Sequence, residues 1–348
     1  MIMKALFIGL GSIGQRHLRN LIALNPNIEI SAVRGKNSKN LVFSKNNKIL
    51  KNSNLVTKYN ITEFSNLSKA LKHHFDIIFI TNPSSLHFKI AKQAIASGAY
   101  IFIEKPAVDN EKDFFELEAL EKSYQGKIFV GYQYRFHPVI KKSSYLIRNN
   151  LLGNIVSARF KNGEYLPDWH PYEDYRQSYA ASKKLGGGTL LTQIHDLDYS
   201  TLLLGAPIEL FAVGGKNSSL EVDVEDSIQI LMNTKIKNKK IPISISLNYV
   251  EKPPERTFEV IGDKGKILCD LNKNTIHWHS HTKKNKKSKF SFPAFKRNDM
   301  FLDEMKAFLS FASGNKKIGI SLKDSEMSLK IVFLAKKSMK SGNTQKIN

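Results

Sequence analysis

Apolar positions in the first 135 residues follow two alternating patterns, one typical of strands and one typical of helices. Residues 75–80, FDIIFI, form a short apolar run, as expected for a strand buried on both faces of a sheet. Similar runs predict strands at 4–9, 28–33, 100–104 and 127–132, and helical spacing predicts helices at 14–24, 85–98 and 111–123. This repeated β–α alternation predicts an α/β domain with a parallel, doubly wound sheet.

The pattern changes after a helix expected to begin near Pro138. Strand-like segments then dominate, at 155–162, 207–215, 226–234, 242–250, 256–262 and 266–271. Three further helices are expected, at 189–205, 299–314 and 321–340. These elements predict a second, α+β domain whose largely antiparallel open sheet carries helices on one face. We therefore divide the chain into domains at 1–135 and 136–340 and a flexible tail at 341–348.

Three glycines follow the first predicted strand, in LFIGLGSIGQRH. The pattern Gly-x-Gly-x-x-Gly occurs by chance in many chains, so a plain glycine turn and a secretory leader are the alternatives. Here a strand enters the pattern, a helix leaves it and β–α units follow, as in a Rossmann dinucleotide site. Gly9 would permit the tight turn, Gly11 the approach of the pyrophosphate, and Gly14 close packing of helix and strand. The amides of the helix start, at Ser12 and Ile13, would then meet the phosphate charge.

The residue after the second predicted strand bears on which nicotinamide cofactor binds. An acidic residue there would hold the ribose hydroxyls of NAD. This chain has SAVRGKNSK instead, with Arg34 at the expected position and Lys36 behind it. A guanidinium can pair with a 2′-phosphate or lie flat over the adenine. The sequence therefore favours NADP slightly and leaves NAD open.

Composition limits the remaining classes of function. The chain has 348 residues, of which 41% are hydrophobic and 24% charged, and no apolar stretch approaches the roughly 18 to 20 residues of a membrane span. Cys269 is the one cysteine, which excludes an internal disulfide and a cysteine-based zinc site. The net charge of +22 is typical of nucleic-acid binding, but the lysines are scattered and their densest run, at 283–290, lacks interleaved aromatics. We expect a cytoplasmic enzyme with no membrane or nucleic-acid partner, whose basic surface attracts anionic substrates.

Two segments carry residue types suited to acid–base chemistry. Lys105, within EKP, follows a predicted parallel strand, whose carboxyl end would face the ligand crevice. A lysine desolvated beside a cofactor can exchange a proton with a substrate hydroxyl. In GGGTLLTQIHDLDY, Thr192, His195 and Tyr199 would share one helical face. His195 could act as acid or base near neutrality, or could be a structural histidine bonded to a neighbouring aspartate.

Five motifs occur in the order seen in one enzyme family: GLGSIGQRH, TNPSSLH, EKP, GYQYRFHP and GGGTLLTQIHDLDY. Together they resemble the glucose–fructose oxidoreductase/inositol 2-dehydrogenase (Gfo/Idh/MocA) family over residues 1 to about 210. The resemblance implies that Lys105 and His195 line the substrate carbon that faces the nicotinamide. It implies further residues along the cofactor, Asn82, Pro83, His87 and Glu104, and two near the substrate, Tyr132 and Arg135.

The chain departs from the family pattern at one position. Many members carry an aspartate a few residues before the histidine, whereas this chain offers Thr192 to the substrate in a segment one residue shorter. Lys105 and His195 would therefore have to act without that carboxylate. The preceding aromatic-rich loop looks like members associated with surface-glycan sugar metabolism. Either the loop is an ordinary connection, or its side chains bind a sugar ring: Trp169, His170, Tyr172, Tyr175, Arg176 and Tyr179.

Three histidines, His277, His279 and His281, lie on one side of a predicted strand, a spacing that can ligate a metal. The lysine-rich turn that follows would oppose a cation, and we expect no metal.

The sequence thus predicts an NAD(P)-dependent oxidoreductase that transfers a hydride between a carbinol carbon of a sugar derivative and the nicotinamide. One alternative is a sugar lyase or hydrolase that uses NAD transiently without net redox change. The other is a cofactor-binding regulator that does no chemistry. The family resemblance also implies a homo-oligomer, either a dimer or a tetramer.

Overall fold

The computed structural model describes residues 2–34, 41–44, 48–51, 53–282, 287–315 and 319–347. The chain forms two compact units, the first from 1–132 and 301–326, the second from 133–300 and 327–348. The segment 301–326 therefore belongs to the first unit although it follows most of the second along the chain. Lys36 and residues 283–286 of the lysine run lie outside the described residues.

A parallel sheet forms the centre of the first unit. Its strands among the described residues are β1 (Lys4–Ile8), β2 (Glu29–Val33), β3 (Thr62–Phe64), β4 (Ile77–Ile80), β5 (Tyr100–Glu104) and β6 (Ile128–Gly131). They pair in the order β3-β2-β1-β4-β5-β6, which confirms the doubly wound sheet. Every residue of β4 is buried, as its uniformly apolar sequence predicted. β3 was not predicted, because three residues are too few to show a period.

Helices and an aromatic core cover this sheet. The helices of the first part of the chain are α1 (Ser12–Leu24), α2 (Leu55–Tyr59), α3 (Leu67–Ala70), α4 (His87–Ala94) and α5 (Glu111–Ser123). The ring of Phe308 packs edge-on against Phe79 and Phe102, with centroids 5.2 and 5.4 Å apart. This apolar contact explains why a segment so late in the sequence joins the first unit.

The second unit is built on a mixed, mostly antiparallel sheet. Its described strands are β7 (Ile155–Tyr165), β8 (Pro207–Gly215), β9 (Ser227–Ile236), β10 (Lys239–Asn248), β11 (Val250–Gly262), β12 (Gly265–Asp270), β13 (Thr275–Ser280), β14 (Lys287–Ser291) and β15 (Gln345–Lys346). They pair in the order β14-β13-β12-β11-β7-β10-β9-β8-β15, and β7 with β10 is a parallel pair. The predicted largely antiparallel sheet is confirmed.

The remaining helices are α6 (Pro138–Arg148), α7 (Thr189–Thr192), α8 (His195–Leu204), α9 (Arg297–Ala312) and α10 (Leu322–Ser341). Within the second unit α6 packs on β12 and β13, and α8 packs on β7. No helix in the described part of the chain is both long and apolar enough to span a membrane.

Two local predictions are wrong. The helix expected over 189–205 is interrupted at Gln193, where the backbone leaves helical geometry, so Thr192 ends α7 and His195 begins α8. These side chains therefore do not share the face of one helix. The tail expected to be flexible pairs with the sheet instead, since Gln345 lies opposite Leu210 and the amide of Ile347 donates to the carbonyl of Ile208. Backbone hydrogen bonds at a sheet edge, which no local pattern reveals, order this segment.

Candidate active site

The glycine loop after β1 has two glycines required by packing and one that faces open space. Gly9 has φ +95°, and a Cβ there would lie 2.9 Å from the backbone nitrogen of Asn82. A Cβ on Gly14 would lie 2.5 Å from the carbonyl oxygen of Gly9 and 2.7 Å from Oγ1 of Thr81. A Cβ on Gly11 would meet no atom within 4 Å. The loop thus packs tightly on one side and leaves room for a ligand at Gly11.

The side chain of Asn82 indicates that a polar group belongs beside this loop. Its Oδ1 and Nδ2 atoms are both buried and have no hydrogen-bond partner among the described residues. Such orphaned groups cost about 1 to 3 kcal/mol each. At the start of α1, Gly11 has no side chain to cap the amides of Ser12 and Ile13. An orphaned amide and an uncapped helix N-terminus fit the polar, anionic backbone of a dinucleotide.

His87 connects the loops that follow β4 and β5. Its Nδ1 lies 2.9 Å from the carbonyl oxygen of Pro106, and its Nε2 lies 2.8 Å from that of Asn82. Burial lowers the pKa of His87, so the ring is neutral at pH 7. Pro83 begins the adjacent 3-10 turn, Ser84–Leu86. In this arrangement His87 holds the two loops in place relative to each other.

Glu104 holds the backbone of Lys105. One carboxylate oxygen of Glu104 accepts the amide N–H of Lys105 at 3.1 Å, and the other lies 2.6 Å from Nε2 of His17. Glu304 on α9 is completely buried; this burial, and the charge of Glu104, raise the pKa of Glu304 well above its ordinary range. The peptide bond between Lys105 and Pro106 is cis.

Arg34 has a charged partner within its own unit. Its Nη1 lies 3.2 Å from Oε1 of Glu63 on β3, and the Arg34 side chain is 9% exposed. Glu63 stands opposite Ala32 in the β2–β3 register, so its side chain lies on the same face of the sheet as Arg34. The guanidinium that sequence analysis expected to meet either a 2′-phosphate or the adenine thus already pairs with a carboxylate.

In the second unit, His195 is buried at the start of α8, and its ring lies 4.9 Å from that of Tyr134. The two neighbouring aspartates are bonded elsewhere. Asp198 accepts from Nε and Nη2 of Arg135, at 2.9 and 2.6 Å. Asp196 accepts from Tyr199 and Asn162. The carboxylates that could have made His195 a structural histidine are therefore engaged with other side chains.

Two further residues expected at the substrate have structural contacts. The Thr192 hydroxyl donates to the carbonyl of Gly188 at 2.8 Å and lies 2.5 Å from the hydroxyl of Tyr249. Tyr132, in the first unit, is completely buried. Both side chains are therefore packed inside their own units, and their contact with a substrate stays a prediction.

The aromatic-rich loop forms a small cluster of its own. Trp169 stands edge-on to Tyr249, with ring centroids 5.4 Å apart, and Tyr179 packs against the same cluster. His170 lies 2.9 Å from Glu173, and Arg176 pairs with Asp174. The indole nitrogen of Trp169 is buried with no partner among the described residues. The loop is thus a packed element, and its ability to bind a sugar stays a prediction.

His277 and His279 lie on β13, and His281 follows its end. Within the part of the chain that the structure describes, no group of three or more His, Cys, Asp or Glu side chains is arranged to hold a metal ion.

Sequence analysis missed three residues that support these sites. His17 lies inside the glycine motif and could have been noticed there. A histidine one helical turn beyond the last glycine can form a hydrogen bond with a residue of a neighbouring strand. Glu304 and Arg256 gave no such signal, because each becomes notable only through partners far away in sequence.

Comparisons with known proteins find a family match for the amino-terminal part of the chain and another for the part that follows it. Residues 3–132 match the model of an oxidoreductase family with an NAD-binding Rossmann fold, and residues 140–268 match the GFO/IDH/MocA C-terminal domain. The resemblance seen in the sequence motifs is confirmed.

Three similar proteins illustrate the range of activities around this fold. Myo-inositol 2-dehydrogenase of Thermotoga maritima is 23% identical over 279 residues, covering 78% of this chain and 80% of that protein. UDP-N-acetylglucosamine 3-dehydrogenase of Acidithiobacillus ferrooxidans is 25% identical over 210 residues, covering 60% and 59%. The structure of levoglucosan dehydrogenase with NADH and levoglucosan superposes with a TM-score of 0.79 at 16% identity, covering 100% of both chains.

Proposed function

Because the chain belongs to the GFO/IDH/MocA oxidoreductase family, we propose that it is an NAD(P)-dependent dehydrogenase acting on a carbinol carbon of a sugar or nucleotide sugar. The observation that carries the proposal is the glycine loop, which leaves open space at Gly11 and packs at Gly9 against Asn82, whose side-chain amide is orphaned. The basic surface, with a net charge of +22, favours anionic substrates such as sugar phosphates and nucleotide sugars. The cytoplasm, where such substrates and nicotinamide cofactors occur, is its proposed location.

In this proposal the chain's own residues bind the cofactor and handle one proton. The amides of Ser12 and Ile13 bind the pyrophosphate, and Asn82 bonds the part of the cofactor beside Gly9. A bound nicotinamide supplies the hydride acceptor. Nζ of Lys105 takes the proton that the substrate hydroxyl loses as its carbon is oxidised, and the imidazole of His195 shares that proton. These assignments follow the family resemblance.

A substrate screen tests the function. The intact protein is incubated with free sugars, sugar phosphates and nucleotide sugars, each with NAD and with NADP, and absorbance is followed at 340 nm. We expect at least one sugar derivative to give steady accumulation of reduced cofactor. Consumption of substrate without such accumulation would instead favour the lyase or hydrolase. Cofactor binding with no turnover of any sugar would favour the regulator.

The Arg34–Glu63 pair leads to a prediction about cofactor choice. Glu63 neutralises Arg34, and its carboxylate would repel a 2′-phosphate, so NADP can use Arg34 only if Glu63 releases it. We therefore propose that the protein works with NAD and that Glu63→Gln shifts the ratio of kcat/KM toward NADP by roughly tenfold. Glu29→Gln, which alters a carboxylate on the same sheet paired with Lys4, is the matched control and should leave the ratio unchanged. An unchanged ratio in Glu63→Gln would remove this pair from cofactor selection.

We also propose that a second copy of the chain covers the open face of the sheet in the second unit. Leu231, Val213 and Leu268 lie on that face and are 60%, 49% and 47% exposed. Leu231 and Val213 lie on the neighbouring strands β9 and β8, and Leu268 lies farther along the same face on β12. Exposed apolar side chains on a sheet face favour self-association. Leu231→Glu should lower the mass found by sedimentation equilibrium to that of the monomer, whereas Phe115→Glu, an exposed apolar position of α5, should not. A monomeric parent protein would contradict the proposal.

A further inference from the structure

A buried charge network surrounds the residue that follows His195. Asp196 is completely buried and accepts hydrogen bonds from Tyr199 and, at 2.9 Å, from Nδ2 of Asn162. Nη2 of Arg256 lies 3.3 Å from the same carboxylate. Arg256 stands on β11 directly opposite Asn162 on β7, so two neighbouring strands hold the first turn of α8 through one carboxylate. This fixes the backbone at His195.

The same arginine, Arg256, is also linked to the imidazole ring of His195 through the ring of Tyr134. The guanidinium carbon of Arg256 lies 4.4 Å from the centroid of the Tyr134 ring, and that ring lies 4.9 Å from the ring of His195. Arginine stacks on aromatic faces more effectively than lysine, because its guanidinium is planar. The Tyr134 ring thus lies next to both the Arg256 cation and the His195 imidazole.

Burying the Arg256–Asp196 ion pair costs free energy of folding. Arg256 is buried; burial alone would lower its pKa, but Asp196 and Tyr134 hold the pKa above its ordinary value, so the group stays charged. Removing a cation and an anion from water costs several kcal/mol, and apolar residues of similar volume often stabilise a core equally well. A geometric role accounts for a charged pair at this position better than a stabilising role does.

We propose that Arg256 is a positioning residue that orients the imidazole of His195, through Tyr134 on the ring side and Asp196 on the backbone side. The inference rests on the proposed function, since it takes His195 to be the group that shares the substrate proton. Arg256 itself contacts neither substrate nor cofactor in this role. Misplacing an acid–base group by about 1 Å can cost on the order of 100-fold in rate.

The test uses Arg256→Lys, which keeps the charge beside Asp196 but loses the planar stack on Tyr134. We expect kcat to fall roughly 10- to 100-fold with KM little changed, because the substrate still binds while the imidazole is misaligned. Arg148→Lys is the matched control, since Arg148 is an exposed arginine at the end of α6 in the same unit and should retain full kcat. Tyr134→Leu, which leaves the Arg256–Asp196 pair intact, should lower kcat similarly, and thermal unfolding confirms that each variant is folded.

A double-mutant cycle separates orientation of His195 from general support of the fold. In a His195→Asn background, Arg256→Lys should lower kcat by less than about twofold, because the group it orients is gone. Equal fold losses in both backgrounds would overturn the inference, as would full activity of Arg256→Lys. If His195→Asn itself is fully active, the proposed role of His195 fails first, which is a different result from an additive cycle.

Discussion

Replacing Lys105 with alanine is expected to lower kcat by about 100- to 10,000-fold, the range for loss of an acid–base group. The substrate hydroxyl must lose a proton as its carbon is oxidised, and Lys105 is the amine that follows β5 at the carboxyl edge of the parallel sheet. Binding of the oxidised cofactor should remain close to that of the parent, since the glycine loop and Asn82 are unchanged. Steady-state kinetics and calorimetric titration measure the two effects separately.

The control for this variant is Lys112→Ala, which removes an exposed lysine from α5 in the same unit. It should leave both kcat and cofactor binding unchanged. If Lys105→Ala turned over at the parent rate, Lys105 would have no part in the chemistry. If it lost cofactor binding together with activity, Lys105 would instead be a binding group.

Alanine substitutions at two glycines of the motif, Gly14 and Gly11, are expected to have different effects: the first lowers the stability of the fold, and the second weakens only cofactor binding. In Gly14→Ala the new Cβ meets the carbonyl of Gly9 at 2.5 Å, a backbone atom that cannot move aside cheaply. Overpacking of this kind costs about 1 to 3 kcal/mol, which for a protein of this size lowers the unfolding temperature by several degrees. Cofactor affinity should fall with it, because α1 is displaced from the sheet.

Gly11→Ala is the counterpart. Gly11 has φ −70°, which alanine adopts freely, and no atom lies within 4 Å of the new Cβ. The unfolding temperature without cofactor should therefore stay unchanged, while the Kd for cofactor rises by roughly tenfold or more because the methyl group occupies the approach of the pyrophosphate. Differential scanning fluorimetry and calorimetric titration measure the pair. A Gly11→Ala protein that binds cofactor normally would place the pyrophosphate elsewhere.

Local patterns were sufficient for β1, β2, β4, β5 and β6 and for the motifs of the first unit, but not for the short elements β3, α2 and α3. The apolar run of β4 and the strand–glycine–helix sequence around Gly9 have short-range physical causes, namely burial on both faces and the conformational freedom of glycine. The second sheet could also be predicted as largely antiparallel from its alternation. The break before His195 was missed because helical spacing continues across Gln193 while the backbone does not.

What this sequence determined by itself is the parallel doubly wound half, the glycine loop suited to a dinucleotide, the mostly antiparallel second sheet and the family with its two candidate acid–base residues. Only the tertiary structure showed that Glu63 pairs with Arg34, that a buried Glu304 with a raised pKa lies near Glu104, and that Arg256 supports the surroundings of His195. The physical reason is the range of the interactions. Periodicity acts between residues a few positions apart, whereas a buried charge is explained by partners that only the folded chain brings to it.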